Sequence, residues 1–287
     1  MKGEEGALPE KNAACGGTLY LVSVPIGNLS DMTPRALDIL KTADVIASEE
    51  VQVTRRLLAS FNIEAKLISY RESNRDEASW QIIGLLEEGK SVALVTGAGT
   101  PCISDPGMQA VSMCHEHDLK VVPVPGVSAL TAAAAACGLP CRRFCFEGFL
   151  PRTSSDRRKF LQSLAKEERT LIFFEAPHRL KETLADILNI FGNRRIFLGR
   201  ELTKHFEECR LTYIEEALNY YESNAPRGEF ALVIEGSEPS EDASQDADFA
   251  ADAQYLRDLG LPSKTCAEIM SRFRNISRND AKKLFFN

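Results

Sequence analysis

The fold of this chain follows from residues 92–107, which read Val-Ala-Leu-Val-Thr-Gly-Ala-Gly-Thr-Pro-Cys-Ile-Ser-Asp-Pro-Gly. The first part, Ser91–Thr96, is apolar, biased toward β-branched residues and too short for a helix, which predicts a buried strand. From Gly97 onward, glycine and proline are so dense that both a helix and a central strand are disfavoured. Because ligands of α/β sheets lie at the carboxyl ends of strands, the segment predicts a loop that lays main chain against a small molecule.

Two further segments share this design of an apolar strand that runs into a loop rich in proline and glycine. They are Thr18–Asp31 and Val121–Ala129. A lone Gly-x-Gly is a weak signal, and the simpler interpretation is a tight turn between a strand and a helix. Three such strand ends are hard to explain by turns alone, and they indicate loops that serve a ligand.

The order of strands and helices predicts the domain organisation. Strands alternate with helical periodicity over residues 18–142, which predicts an α/β domain with a mostly parallel sheet covered by helices. A second α/β domain is predicted for residues 143–236. Residues 237–249 read as an acidic linker, and residues 250–287 as a small helical module similar to a helix-turn-helix. Residues 1–17 are polar, which predicts a disordered tail rather than a signal peptide or an anchor.

Composition excludes several classes of protein. No run approaches the roughly 20 apolar residues that span a bilayer, so we expect no membrane partner. Eight cysteines without an export signal predict reduced thiols in a cytoplasmic protein. The spacing of Cys137, Cys141 and Cys145 fits neither the paired C-x2-C of zinc sites nor the C-x3-C-x2-C of radical-SAM enzymes. Buried or incidental thiols are therefore expected, and no metal is predicted.

The charge is distributed unevenly. A net charge of −7 argues against a protein that coats nucleic acid indiscriminately. Acidic residues without a basic one fill Ser237–Asp252, whereas Arg257–Asn287 is rich in lysine and arginine. The overall charge therefore hides a basic C-terminal segment.

Several short motifs together resemble the tetrapyrrole-methylase superfamily. The first group is Pro-Ile-Gly-Asn-Leu (25–29), Ala-Gly-Thr-Pro (98–101), Ile-Ser-Asp-Pro-Gly (103–107) and Val-Pro-Gly-Val-Ser-Ala (124–129). The second group is Gly-Phe-Leu-Pro-Arg (148–152), Pro-His-Arg-Leu (177–180), Arg-Glu-Leu-Thr-Lys (200–204) and Gly-Glu-Phe (228–230). The second group narrows the resemblance to the superfamily branch that methylates small-subunit ribosomal RNA. The resemblance covers residues 18–236 and implies an α/β, two-lobed class III methyltransferase fold, here with the helical C-terminal module.

The resemblance implies that S-adenosylmethionine binds between the two lobes. Carried over position by position, the pocket would comprise Pro25, Ile26, Gly27, Asn28, Gly97, Ala98, Gly99, Thr100, Ile103, Ser104, Asp105, Ser128, Ala129, Leu150, Ala176, Pro177, Arg200 and Glu201. The chain lacks both a Rossmann G-x-G-x-x-G with a later acidic residue and a Walker loop, so dinucleotide binding and nucleoside triphosphate hydrolysis are not supported. A sulfonium is already an activated methyl donor, so the protein need only align a nucleophile and exclude water.

The acceptor implied by the resemblance is the ribose 2′-hydroxyl group of a cytidine in the decoding region of small-subunit (16S) ribosomal RNA. A hydroxyl group is a weak acid, so its proton must leave during or just after attack. Candidate helpers are Glu49, Glu50, His178, Glu201 and Lys204. For each, the alternative is a solvated charge or a structural ion pair, since most charged residues are exposed.

RNA contact is predicted at clusters of basic residues. The candidates are Arg152, Arg157, Arg158, Lys159, Arg194, Arg195, Lys282 and Lys283. A run of charge is usually just a solvated face, but two clusters and a basic tail favour phosphate binding with steep salt dependence. The expected partners are the ribosomal RNA or the assembled 30S subunit and a second copy of this chain.

The chain departs from the usual motifs at strand ends. The loop usually begins Ser-Asp-Ala-Gly-Thr-Pro, but Gly97 stands where the aspartate is expected. Glu50-Val51-Gln52 replaces a usual Asp-Thr-Arg, and residues 70–74 replace a stretch that usually carries histidines. Two alternatives therefore stay open: a superfamily methylase that acts on a tetrapyrrole or a small nucleophile, and a donor-binding protein with weakened catalysis.

Overall fold

The computed structural model describes residues 17–238, 243–274 and 276–285. The predicted N-terminal tail thus lies outside the described residues except for Gly17. The chain divides into two compact units, of which the first ends at Gly236 and the second begins at Ser237. Within the first unit, we call residues 17–142 the first lobe and residues 143–236 the second lobe. In the described part of the chain, no helix is long and apolar enough to cross a membrane.

Five parallel strands form the sheet of the first lobe. In chain order they are β1 (Thr18–Val22), β2 (Val45–Ser48), β3 (Leu67–Ser69), β4 (Val92–Val95) and β5 (Lys120–Val124). They pair in the order β3-β2-β4-β1-β5. The helices that follow the strands are α1 (Pro34–Thr42), α2 (Val51–Ser60), α3 (Arg75–Glu87), α4 (Met108–Glu116) and α5 (Ala129–Ala136). The parallel, helix-covered sheet predicted from the sequence is confirmed.

The central strand β4 shows why this segment is apolar throughout. Val92 and Leu94 face the core under α3 and α4, whereas Ala93 and Val95 face the core under α1 and α2. A strand with helices on both faces has no polar side, which explains the unbroken apolar run. Helix α1 begins as predicted, because the Thr33 hydroxyl group accepts a hydrogen bond from the main-chain N–H of Ala36 at 3.1 Å.

The sheet of the second lobe is mixed. Its strands are β6 (Phe144–Phe149), β7 (Thr170–Glu175), β8 (Arg195–Arg200), β9 (Glu208–Tyr213) and β10 (Phe230–Ile234), in the order β6-β7-β10-β8-β9. Within the described part of this second sheet, β6 and β7 pair in parallel, and the other neighbouring strands pair in antiparallel. Its helices are α6 (Ser154–Leu164), α7 (Leu180–Phe191) and α8 (Ile214–Ser223). Strand β9 was not predicted, because its residues alternate between exposed and half-buried at a sheet edge and lack an apolar run.

Helix α5 joins the two lobes. It follows the last strand of the first sheet, but its buried Ala133 packs in one core with Ile172 of β7 and Val233 of β10. The alanine run of this helix allows close approach to the second sheet, since alanine adds little bulk. Helices α6, α7 and α8 cover the opposite face of that sheet.

The second unit contains three helices in its described part: α9 (Ala243–Asp258), α10 (Ser263–Phe273) and α11 (Arg278–Lys283). The predicted linker, residues 237–249, is therefore helical from Ala243 onward, while residues 239–242 lie outside the described residues. Alanine-rich sequence favours a helix even without clear amphipathic periodicity, which explains the difference. A small core holds the unit together and contains Ala253, Cys266, Ala267, Met270, Ala281 and Phe285.

Candidate active site between the two lobes

Three loops meet at the carboxyl edge of the first sheet. Val24 and Gly99 exchange both main-chain hydrogen bonds, at 2.9 and 3.0 Å, so the loop after β1 pairs with the loop after β4. Thr100 adds two contacts: its Oγ1 lies 2.9 Å from Oγ of Ser23 and donates to the Val127 carbonyl oxygen at 3.1 Å. The three strand ends singled out in the sequence thus form one continuous surface.

A cavity of about 420 Å³, which we call the first cavity, separates this surface from the second sheet. Eleven of the predicted pocket residues line it: Ile26, Ala98, Gly99, Thr100, Ile103, Ser104, Asp105, Ser128, Ala129, Ala176 and Pro177. The loops of the first lobe therefore face the second lobe in the way the motifs suggest.

Seven predicted pocket residues lie outside that lining: Pro25, Gly27, Asn28, Gly97, Leu150, Arg200 and Glu201. Some of them make structural contacts away from the cavity. The Asn28 side chain accepts a hydrogen bond from the Ser30 N–H at 3.0 Å and caps a short 3-10 helix. Leu150 is buried, and Arg200 donates to Glu208 Oε2 and to the Arg227 carbonyl oxygen. These residues shape the surroundings of the cavity rather than its wall.

The second lobe contributes lining residues that the sequence did not reveal: Phe149, Phe174, Glu175, Leu202, Glu229, Phe230 and Ala231. Glu175 is fully buried and accepts hydrogen bonds from the Thr183 hydroxyl group at 2.6 Å and the Ala176 N–H at 2.8 Å. Arg179 Nε lies 3.5 Å from the same carboxylate. The sequence contained one signal for this residue: Glu175 is a charged residue at the end of the apolar strand β7.

Lys204 crosses from the second lobe to the first. Its Nζ donates to Glu201 Oε1 at 2.9 Å and to Glu229 Oε2 at 2.8 Å. Its Cγ lies so close to Gly27 that a Cβ atom there would be 2.3 Å away, and Gly27 also has φ +154°. Only glycine suits this position, because the lysine stem occupies the space of a side chain.

Hydrogen bonds fix the charges of this network. Burial acts to lower the pKa of Lys204, but the bonds to Glu229 and Glu201 outweigh it and raise the pKa. Burial acts to raise the pKa of Glu201, but the bonds from Lys204 and from the Glu229 main chain outweigh it and lower the pKa. Lys204 is thus a fixed cation at the cavity wall and is unsuited to accept a proton. Glu201 (φ +50°) and Thr203 (φ +68°) have left-handed backbone, which is strained for residues other than glycine.

His178 is not part of the cavity. It is exposed in the turn after β7, outside the lining residues. Its neighbour Arg179 holds this turn in place by donating to the carbonyl oxygens of Leu150 and Pro151, at 2.9 and 2.8 Å. The predicted role of His178 in proton transfer is not supported by this position.

Three carboxyl groups gather where β2 and β4 end. Thr96 Oγ1 donates to Glu49 Oε2 at 3.2 Å. Burial, followed by the charge of Asp105, raises the pKa of Glu49, and Glu50 adds to this effect. Burial also raises the pKa of Asp105, against the Thr96 hydroxyl group and with a further contribution from Glu50. Desolvation and mutual repulsion therefore favour a proton on this cluster.

The predicted RNA-binding residues are in different situations. Arg157 is buried and pairs with Asp186 through Nε at 2.7 Å, so its prediction as an RNA contact is wrong. Arg194 donates to the carbonyl oxygens of Phe191, Ala165 and Glu235, and Arg195 pairs with Glu235. These side chains stabilise the second lobe.

The remaining predicted RNA contacts are exposed. In the second lobe these are Arg152, Arg158 and Lys159. In the second unit, Lys282 is exposed, and Lys283 pairs with Asp280 at 2.8 Å. A cluster of basic residues in the sequence therefore does not show which of its side chains lie on the surface and which are buried or paired.

The cysteines of the described part are free thiols. Cys137 Sγ lies 3.4 Å from Cys141 Sγ, at hydrogen-bonding distance, and burial raises the pKa of Cys141 to about 11. Within the described residues, His, Cys, Asp and Glu form no group that could hold a metal ion.

Comparison with known families identifies the fold. Residues 18–218 match the model of the tetrapyrrole (corrin/porphyrin) methylases. The chain is 41% identical over 273 residues to ribosomal RNA small subunit methyltransferase I of Halalkalibacterium halodurans, and the aligned region covers 94% of each chain. It is 47% identical over 226 residues to the protein of the same name from Synechocystis sp., which covers 78% of this chain and 81% of that one.

Solved structures with the same fold are more distant in sequence. A cobalt precorrin-4 methyltransferase of cobalamin biosynthesis superposes with a TM-score of 0.57 at 20% identity, over 76% of this chain and 94% of that chain. Uroporphyrin-III C-methyltransferase from Thermus thermophilus, complexed with S-adenosylhomocysteine, gives a TM-score of 0.53 at 18% identity, over 76% and 97%. These similarities confirm the predicted two-lobed fold.

Proposed function

We propose a specific reaction for this chain, which belongs to the tetrapyrrole (corrin/porphyrin) methylase family and within it to the ribosomal RNA small subunit methyltransferase I family. The proposed reaction is methylation of the ribose 2′-hydroxyl group of a cytidine in the decoding region of small-subunit ribosomal RNA. Family membership makes the chain an S-adenosylmethionine-dependent methyltransferase. The acceptor, the ribose position and the decoding region are our proposal. They are supported by relatives with this name at 41% identity over 94% of the chain.

The first cavity fits S-adenosylmethionine by the chemistry of its lining. The donor carries a sulfonium, an ammonium and a carboxylate, so its net charge is positive. The described lining has three carboxyl groups, Asp105, Glu175 and Glu229, and one ammonium group, Lys204. This acidic surplus suits a cationic compound. In the lining, Ala98 and Thr100 flank the Val24–Gly99 pair and can offer main-chain N–H and C=O groups to the polar ends of the donor.

The residues of the chain have separate tasks in such a site. When bound, the donor supplies a methyl group activated by the positive charge on sulfur. Phe149 and Phe174 form an apolar wall that excludes water from the cavity, and they contact each other edge to face with centroids 5.7 Å apart. Lys204, which also lines the cavity and is held by its two carboxylates, would orient an anionic group of the donor. Alignment in a dry site is what methyl transfer from an activated donor requires.

Mapping of ribose methylation in ribosomal RNA tests the proposal. Cells with and without the gene would be compared at every ribose of the small and large subunits. We expect loss of methylation at one cytidine of the small-subunit decoding region and no change elsewhere. Unchanged methylation at every ribose would contradict the proposal. Purified protein and labelled donor would then be tested on small subunits from the deleted strain, with large subunits and a porphyrinogen as comparison acceptors.

The proposal also covers the oligomeric state of the protein and its location in the cell. We propose a homodimer that acts in the cytoplasm on ribosomal RNA or on the assembled 30S subunit. Light scattering on the purified protein measures its mass in solution. Parallel assays on naked RNA and on intact subunits decide which substrate the protein requires.

A further inference from the structure

A second cavity of about 720 Å³ adjoins the first one in the first lobe. The two cavities share Ser104 and Asp105 as lining residues. The other residues around the second cavity are Glu49, Tyr70, Glu72, Arg75, Asp76, Pro106, Gly107, Met108, Gln109 and Ser112. Ser104 and Asp105 therefore lie where a donor in the first cavity and an acceptor in the second would meet.

The second cavity is rich in hydrogen-bond acceptors. Four carboxyl groups line it, from Glu49, Glu72, Asp76 and Asp105, against the single guanidinium of Arg75. Arg75 is itself paired with Glu72. Such a lining attracts hydroxyl and amino groups, which donate hydrogen bonds, and repels phosphates and carboxylates. A polycarboxylated tetrapyrrole is therefore a poor occupant.

We propose that the second cavity receives the sugar and base of the acceptor nucleotide, and that the carboxylate of Asp105 accepts the proton of the reacting hydroxyl group. This inference rests on the proposed function and extends it to a named acceptor subsite and a named proton acceptor. The acceptor nucleotide would leave its stack to enter, with its phosphates outside the acidic lining. The sequence had placed Asp105 only among residues that contact the donor.

The step balances in atoms and charge. The hydroxyl oxygen bonds to the methyl carbon, and the carbon–sulfur bond breaks with its electron pair left on sulfur. The hydroxyl proton moves to an Asp105 oxygen, which must be deprotonated beforehand. Asp105 interacts electrostatically with Glu49, Glu50 and Cys102, and the nearby Thr96 hydroxyl group acts to lower its pKa. Burial and Glu50 raise the pKa of Asp105, which makes its carboxylate a stronger base than an exposed aspartate.

The variant Asp105→Asn tests the proton acceptor in the full chain. We expect kcat for methylation of small subunits to fall about 100-fold or more, since a positioned base contributes at least that factor. Donor affinity, measured by calorimetry, should fall by a much smaller factor than kcat, because Asp105 is only one of three carboxyl groups that line the first cavity. The acid limb of the wild-type pH–kcat profile should be absent from the variant. Asp38→Asn, at an exposed position of α1, is the matched control and should leave kcat and the pH profile unchanged.

The variant Ser112→Trp tests the acceptor subsite without relying on catalysis. Ser112 is exposed on α4 and lines the second cavity, so an indole there would fill part of it. We expect binding of small subunits to the donor-free protein to weaken at least tenfold, with calorimetric donor affinity unchanged. His115→Trp places the same side chain on the same helix outside the cavity and should bind like the wild type. Melting temperatures of all variants check folding.

Two results would overturn the inference. One is an Asp105→Asn variant that keeps kcat and the acid limb, or whose entire loss lies in donor affinity. The other is a Ser112→Trp variant that binds and methylates subunits normally. Failure of the proposed function is distinguishable, because then the wild-type protein itself would not methylate small subunits in the same assay.

Discussion

A Cβ atom at Gly97 would lie 3.1 Å from Oε1 of Glu50, so the Glu50 carboxylate fills the space beside the glycine. The motif that this chain resembles has an aspartate at position 97 and the shorter aspartate at position 50. The longer Glu50 thus brings a carboxylate to the place where the side chain of residue 97 is missing. The two departures in sequence compensate each other in space, which argues against a loss of catalysis through this loop.

We predict that Gly97→Asp lowers stability and activity when Glu50 is present. Two carboxylates would then compete for one place, and we expect a loss of about 1–2 kcal/mol in the free energy of unfolding. The double variant Gly97→Asp with Glu50→Asp should recover most of that loss. Thermal melts and methylation rates of both variants and of Gly97→Ala measure the coupling; additive effects would contradict it.

A second prediction concerns the crossing of Lys204 over Gly27. Gly27→Ala should lower the melting temperature, because its Cβ would collide with the lysine stem and its φ of +154° is strained for alanine. In a Lys204→Ala background the collision is removed and only the backbone strain stays. We expect the cost of Gly27→Ala to fall by about 1 kcal/mol or more in that double-mutant cycle. If Gly27→Ala lowered stability equally in both backgrounds, the contact between Lys204 and residue 27 would not contribute to that loss.

The pH dependence of stability provides a third prediction. Burial opposes the charge of Glu201, but Lys204 and the Glu229 main chain lower its pKa. A carboxyl group with a lowered folded-state pKa stabilises the fold above its unfolded pKa, and this contribution is lost as the pH falls through the folded value. The melting temperatures of wild type and Lys204→Met should therefore differ most at neutral pH and converge below about pH 4.5. A difference that is constant with pH would contradict this account.

The buried Arg157–Asp186 pair gives a fourth prediction. Asp186→Ala leaves a buried guanidinium without its closest partner and should cost about 3–5 kcal/mol of unfolding free energy. Glu182→Ala removes the other, largely exposed partner of Arg157 at 3.4 Å and should cost less than about 1 kcal/mol. Denaturant unfolding of both variants measures the contrast. Similar values for both would mean that burial does not decide the strength of the pair.

A fifth prediction separates surface charge from structural charge. Replacement of Arg152, Arg158 and Lys159 by glutamine should weaken binding of small subunits and reduce its salt dependence. If all three contact phosphates of single-stranded RNA, the slope of log K against log salt should shrink by about 2. Donor affinity should not change, because these side chains lie outside the lining of the first cavity. An unaltered slope would exclude this surface from the RNA interface.

Local sequence patterns were sufficient for the first lobe. Strand β4 and its loop could be predicted because an unbroken apolar run and a dense set of glycine and proline are both local signals. The second lobe was harder, because β10 pairs between β7 and β8, which lie earlier in the chain. That pairing brings Phe230 and Ala231 to the first cavity, and no local pattern encodes it. Arg157 was misplaced for a related reason, since its partner Asp186 lies 29 positions away.

Helix α5 limits how the two lobes can move. It begins at the wall of the first cavity, at Ala129, and its Ala133 is buried against the second sheet. A hinge-like separation of the lobes that carried this helix away with the first lobe would pull Ala133 out of that core and expose apolar surface to water. We therefore expect ligand exchange to leave helix α5 packed on the second sheet, and we expect the helix and that sheet to melt as a single cooperative block in calorimetry.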